Sequence, residues 1–232
     1  MPKLKIVIDW GHGGSDPGAV GNGLREKDLT MKIGKMIGDM LLDYEGVEVI
    51  YTRTSDYYLS LEERAEIANK AKADFFLSVH INAGGGTGFE SYIYNGNVDA
   101  KTVVYQNVIH AEIMKVIGNV TDRGKKRANY AVLRETRMPA ILTENLFIDN
   151  AKDAAKLKSD QFLQQVAYGH VIGLEKAFGL KKKAKQQAQS QTQQKASDKK
   201  LYRVQVGAFS DRKNAERLAE ELKKKGYPAI IV

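Results

Sequence analysis

What constrains this chain most is an alternation: short apolar runs, each followed by a stretch whose apolar residues recur at helical spacing. Leu4, Ile6, Val7 and Ile8 read as a buried strand, and Leu29, Ile33, Met36, Ile37, Met40, Leu41 and Tyr44 as a helix face, with Gly46 at the C-cap position. VEVIY (47–51) reads as a second strand. Ser60 and Glu63 have capping-box spacing, so SLEERAEIANKAKA is a helix with Leu61, Ala65, Ala68 and Ala71 on its apolar face. DFFLSVHIN (74–82), FESYIY (89–94) and AILTE (140–144) are further strands, and GGGTG (84–88) reads as a flexible loop without packing content. The spacing predicts a long helix from about Asp99 with Val103, Val104, Val108, Ala111, Met114 and Ile117 inward, then a polar, basic loop over 119–130. A last helix from Ser159 buries Phe162, Leu163, Val166, Val171, Leu174 and Phe178 and stops at Gly179. Strands alternating with helices predict an α/β fold: a three-layer α/β/α domain with a mainly parallel central sheet over residues 1–180.

The formal net charge of +8 suggests nucleic acid until it is divided along the chain. Residues 1–180 carry 22 Lys+Arg and 23 Asp+Glu, residues 181–200 carry 7 and 1, and residues 201–232 carry 7 and 4. The excess lies in the tail, which suits attraction to anionic polymers in general, so no nucleic-acid partner is expected. Residues 181–200, rich in Lys and Gln, read as a flexible linker. Beyond it, residues 201–232 read as a short βαβ fragment: YRVQVGAF as a strand, Asp211 to Lys225 as an amphipathic helix through Ala215, Leu218, Ala219 and Leu222, and PAIIV as the start of a second strand. No run approaches the length of a membrane span, and Asp9 breaks the first apolar run too early for a Sec-type signal. The expectation is a chain made in the cytoplasm without a signal peptide and not inserted in a membrane.

The chain has no cysteine, which excludes disulfides and thiol nucleophiles and leaves His, Asp and Glu as metal ligands. The glycine-rich turn after the first strand lacks the Gly-Lys-Ser/Thr ending of a phosphate loop and the dinucleotide spacing. In a parallel sheet the ligand crevice lies beyond the carboxyl ends of the strands. His12 follows the first strand, His80 lies near the end of the third, Glu144 ends AILTE, and Glu26 opens a helix that leaves the same edge. Two histidines and one glutamate make a catalytic zinc set with an open fourth position, leaving Glu144 free to act as a base. Each residue has a plainer reading: a turn histidine, a helix-start carboxylate, a core histidine. Glu144 resists one, because an unpaired carboxylate among Ile141, Leu142, Leu146 and Phe147 is costly to bury. His110 and His170 read as structural, and Tyr92 and Tyr94 as sheet packing. Arg123, Lys125, Lys126 and Arg127 read as a solvated loop or as a rim gripping an acidic substrate.

These residues resemble the zinc-dependent N-acetylmuramoyl-L-alanine amidases of the type 3 family. The resemblance is carried by IVIDWGHGGSDPGAVG with His12, EKDLT with Glu26, TRTSDYYLSLEERAEIAN, ADFFLSVHINA with His80, GFESYIY, and MPAILTENLFIDN with Glu144, over about residues 4–178. It implies that His12, Glu26 and His80 bind one Zn²⁺ and that Glu144 is the catalytic carboxylate. Trp10 stands where the family usually has proline, and Asn145-Leu146 replaces a more usual small-residue pair. The tail YRVQVGAFSDRKNAERLAEELKKKGYPAIIV resembles the first half of a sporulation-related (SPOR) repeat, a peptidoglycan-binding module.

The implied reaction is hydrolysis of the amide between N-acetylmuramic acid and L-alanine of the stem peptide by zinc-activated water. Arg64 and Asn82 are candidates for orienting the substrate. The partners implied are peptidoglycan and, through the basic tail, anionic wall polymers, reached after lysis or release as by a phage endolysin or a bacterial autolysin. A metallopeptidase or deacetylase using the same metal, and a wall-binding protein with a dead enzyme half, are the alternatives.

Overall fold

A computed structural model of the chain describes residues 3–184 and 212–225. The chain divides into two compact units, Met1–Gln186 and Gln187–Val232. The first carries a six-stranded sheet built from β1 (Leu4–Trp10), β4 (Val47–Tyr51), β5 (Phe75–Asn82), β6 (Phe89–Tyr94), β7 (Asp122–Ala128) and β8 (Ala140–Phe147). A two-stranded ribbon, β2 (Val20–Gly21) with β3 (Leu24–Arg25), interrupts the loop after β1. Strand order is β4-β1-β5-β8-β6-β7. β4, β1, β5 and β8 pair in parallel, β6 runs antiparallel to β8, and β7 is parallel to β6. The sheet is mixed and mainly parallel, and helices cover it.

On one face, Ile6, Ile8, Phe75, Leu77 and Val79 pack with α1 (Glu26–Leu41), α3 (Ala100–Ile117) and α6 (Asp160–Phe178). On the other, Val7, Phe76, Ala140 and Leu142 meet Ala68 of α2 (Leu61–Ala71) and Val132 and Leu133 of α4 (Ala131–Glu135). α5 (Ala151–Leu157) follows β8. Fully burying one such aliphatic side chain contributes about 1.5–3 kcal/mol, so the two cores supply the main driving force. The capping box of Ser60 and Glu63 forms, Ser159 caps α6 through the Phe162 amide, and Gly179 ends α6 in the left-handed conformation.

Several expectations need correction. The span 119–130 contains β7, the outermost strand, rich in charged residues, a usual way of blunting a sheet edge. α3 buries Thr102, Gln106, Ile109, His110, Ile113 and Ile117, while Val104 is 55% exposed, so its inward face is rotated from the aliphatic stripe. The polar Gln106 and His110 turn inward because they bond Ser91 and, for His110, Asp122. The C-cap of α1 is Leu42, and Gly46 lies beyond it in the turn into β4. Leu61 is exposed on α2. Residues 84–88 are tied down: Asp149 accepts the Gly84 and Gly85 amides, and Asp153 accepts the Gly88 amide and the Thr87 hydroxyl.

Lys181–Lys183, expected to open the linker, pair with the turn after α1. Glu45 N–H donates to Lys181 O, Lys183 N–H to Asp43 O, and Tyr44 bridges to Lys182. In the second unit α7 (Arg212–Lys224) has Ala215, Leu218, Ala219 and Leu222 as its half-buried stripe. The two strands expected at 202–209 and 228–232 lie outside the described residues.

Candidate active site

The loop after β1 is held by two buried arginines. Arg53 donates to the carbonyls of Trp10, Lys27 and Ser55, and Arg64 to those of Trp10 and His12 and to Asp9 at 2.8 Å. Asp9 also accepts from Thr52 and Ser78. Burial pushes the Asp9 carboxyl up, but Arg64 and the two hydroxyls prevail and hold it below the usual carboxylate range. Arg64 is only 2% exposed, which corrects its expected role of orienting substrate: its guanidinium shapes the histidine loop from beneath.

This frame sets His12 at φ 62°, in the left-handed region. Its Nδ1 faces Asp16 at 2.7 Å and its Nε2 faces Glu26 at 3.2 Å. His80 presents Nδ1 to the other Glu26 oxygen at 2.9 Å. Glu26 is buried and fixed further by the amides of Ala19 and Ile81, both at 2.9 Å. Two glycines permit this convergence. A Cβ on Gly11 would stand 2.4 Å from the His80 ring, and one on Gly18 would stand 2.6 Å from the His12 ring and 2.7 Å from Glu26.

The structure therefore brings together three of the sequence-derived candidates: ligand atoms of His12, Glu26 and His80 all lie within 4.8 Å of one another, a set able to hold a metal ion. Burial would raise the Glu26 carboxyl, but hydrogen bonds from both histidines and their charge drive it far down. Burial opposes protonation of His80, yet Glu26 outweighs it and lifts the imidazole to about 9, with His12 raised in the same way. Two imidazoles turned toward one carboxylate make a donor set that fits a divalent metal.

Glu144 faces this cage from β8, where it lies opposite His80 in register. Strand β8 runs three residues past it, so Glu144 is inside the strand and not at its end. Beyond it the register shifts and Leu146 takes φ 71°. Burial, then the neighbouring carboxylates of Glu26 and Glu90 against the histidines, lifts Glu144 to about 7. Its Oε2 is buried with no hydrogen-bond partner among the described residues.

Asn82, the remaining candidate, donates to Glu90 at 2.6 Å. Glu90 was missed from the sequence; its only signal was an acid at an inward position of FESYIY. Asp16 was missed too, though Asp-Pro-Gly after a histidine marks a turn that can return a carboxylate to the ring. His110 and His170 are buried in the helical layer, as expected.

Fold and site together define a three-layer α/β hydrolase in which two histidines and one glutamate form a cluster able to hold a metal ion, with a separate carboxylate beside it. A family model for N-acetylmuramoyl-L-alanine amidase matches residues 6–176, and the chain belongs to that family of peptidoglycan amidases. A SPOR-domain model matches residues 162–232, a span that overlaps α6. The chain is 51% identical over 230 residues to a sporulation-specific N-acetylmuramoyl-L-alanine amidase of Bacillus subtilis, covering 99% of this chain and 84% of that protein. It is 50% identical over 188 residues to the endolysin of Bacillus phage SPP1, covering 79% and 69%. The catalytic domain of the amidase CwlV from Bacillus (Paenibacillus) polymyxa superposes with a TM-score of 0.72 at 34% identity, covering 78% of this chain and all of that one.

Proposed function

We propose that this amidase binds one Zn²⁺ through His12, Glu26 and His80 and uses Glu144 as its general base, releasing stem peptides from glycan strands. The observation that carries this is the conjunction of the three-ligand cage with the unpartnered Glu144 oxygen. Two imidazoles and one carboxylate suit zinc and leave a fourth position open. When bound, zinc supplies Lewis acidity toward the scissile carbonyl and lowers the pKa of water. Glu144 accepts the proton of the attacking water and returns it to the leaving nitrogen of L-alanine. Asp16 keeps His12 in one ring orientation, and Asn82 stands where it can orient the substrate at the end of β5. The four groups are all present, so the dead-enzyme alternative finds no missing part. The family match favours the muramoyl amide over a peptide or acetyl substrate.

In the same proposal, residues 1–186 form the catalytic unit, and the SPOR-matching tail brings it to the wall with its basic residues attracting anionic polymers. No helix among the described residues is long and apolar enough to cross a membrane. The test is metal removal. Protein stripped of metal and verified by elemental analysis loses hydrolysis of purified wall and regains it with one equivalent of Zn²⁺; full activity of the stripped protein would contradict the reading.

A further inference from the structure

The geometry points to a carboxylate-binding subsite made by Arg123 and Lys126, which sets the direction of the substrate. The acidic stem peptide runs toward β7, and the glycan lies toward Tyr57 and Tyr58. This rests on Glu144 as the base, because the direction is measured from it.

Cross-strand register aligns His80, Glu144 and Glu90 in one row over β5, β8 and β6. The row continues into β7, where Phe89 pairs with Asp122 and Tyr92 with Lys126, so Arg123 and Lys126 flank Glu90. Two strand spacings separate β8 from β7, roughly 10 Å at 4.7–4.9 Å each. An extended peptide advances about 3.3–3.6 Å per residue, so β7 lies within reach of the second or third residue of a stem peptide whose first amide sits at Glu144.

Charge then decides the occupant. Glu90 is 2% exposed and accepts from Arg123 Nε at 2.8 Å, from Lys126 Nζ, from Asn82 at 2.6 Å and from the Tyr92 hydroxyl at 2.8 Å. Burial pushes its carboxyl up, but Lys126 and Arg123 hold it below the usual range, so one negative charge faces two positive ones. Glu90 is a positioning residue, and the surplus positive charge remains for a ligand. The Arg123 side chain is 32% exposed and lies over the Phe147 ring at 4.7 Å. Its two terminal nitrogens take no hydrogen bond among the described residues, which leaves a flat pair of donors suited to a carboxylate.

The opposite flank has the reverse character. Gly13 and Gly14 of the His12 loop pack against the backbone of Tyr57 and Tyr58, residues that are 40% and 54% exposed. Asp16 and Asp56 stand there, with Lys27 already paired to Asp56. Exposed rings without surplus cation suit an uncharged sugar and repel an anionic peptide.

The test uses two N-acetylmuramoyl-L-Ala-D-Glu-L-Lys substrates with amidated C-termini, the D-Glu joined to Lys through its γ-carboxyl, alike except that its α-carboxyl is free or amidated. Wild-type protein should favour the free carboxylate in kcat/KM by about 10-fold or more, the range expected for a charge-assisted pair. Arg123→Gln and Lys126→Gln should lose that preference while still hydrolysing the amidated substrate, which also reports that the variants fold. Equal rates on both substrates by the wild type, or variants that lose both substrates alike, would overturn the subsite. The base on which this direction rests is tested apart from it: Glu144→Gln should lose turnover on both substrates alike while keeping its zinc, and unchanged turnover there would overturn the base and not the subsite.

Discussion

Gly11 shows how little room a residue near the cage has. Its missing Cβ is what lets the His80 ring approach the loop, since any side chain would begin 2.4 Å from that ring. Gly11→Ala should displace His80 and weaken zinc binding by about 10–100-fold, the usual effect of disturbing a ligand's support, with little change in melting temperature. Competition with a chelator of known affinity measures this, and unchanged affinity would mean the ring is not held there. His170 makes a different kind of prediction. It is fully buried between Thr143 and the Val166 carbonyl, and burial pushes its imidazole down to about 4. An unfolded histidine titrates near 6.5, so below that pH the unfolded chain binds a proton that the folded chain refuses. The contribution is complete above about pH 6.5 and is lost as pH falls toward about 4, on the order of 2–3 kcal/mol. Denaturation at pH 7 and pH 4.5 should show this loss in the wild type and a smaller one in His170→Gln; equal losses would place the titration elsewhere.

At the scale of elements, most strands and the caps at Ser60, Ser159 and Gly179 were legible because each is a local matter. Leu4, Ile6, Val7 and Ile8 make one short apolar run, Ser60 meets Glu63 three residues on, and Gly179 follows an apolar stripe. The face of α3 was not legible, since an aliphatic stripe through Val104 competes with Gln106 and His110, whose partners Ser91 and Asp122 lie on other elements. β7 was hidden for a related reason. A run such as DRGKKRA looks like loop until β6 supplies the ladder that turns it into an edge strand. That His12, Glu26, His80 and Glu144 come together was legible because the segments carrying them all reach the carboxyl edge of the parallel strands. The fates of Arg64 and Glu90 were not, because each is decided by which charge it meets across 33 to 55 residues of chain.

For the whole molecule, the boundary between enzyme and tail carries its own prediction. Lys181–Lys183 pair with Asp43–Glu45, so a chain ending at Gln186 should melt as the full chain's first unit does and hydrolyse soluble muropeptides normally. One ending at Leu180 should melt several degrees lower. Whole-wall lysis should weaken without the tail, most at low salt, where screening of its positive charge is least. Loss of muropeptide hydrolysis in the Gln186 chain would contradict the division. The account as a whole stands on metal binding and proton transfer being separate jobs of separate carboxylates. Glu144→Gln preserves side-chain size and leaves the cage of His12, Glu26 and His80 intact, whereas Glu26→Gln removes the cage's only anion. Zinc stoichiometry and turnover, measured side by side for both variants, decide the matter. The prediction for Glu144→Gln is full zinc content with turnover reduced by about 10²–10⁴-fold, and for Glu26→Gln loss of the zinc itself. Zinc lost from Glu144→Gln, or near-normal turnover without its carboxylate, would contradict the account.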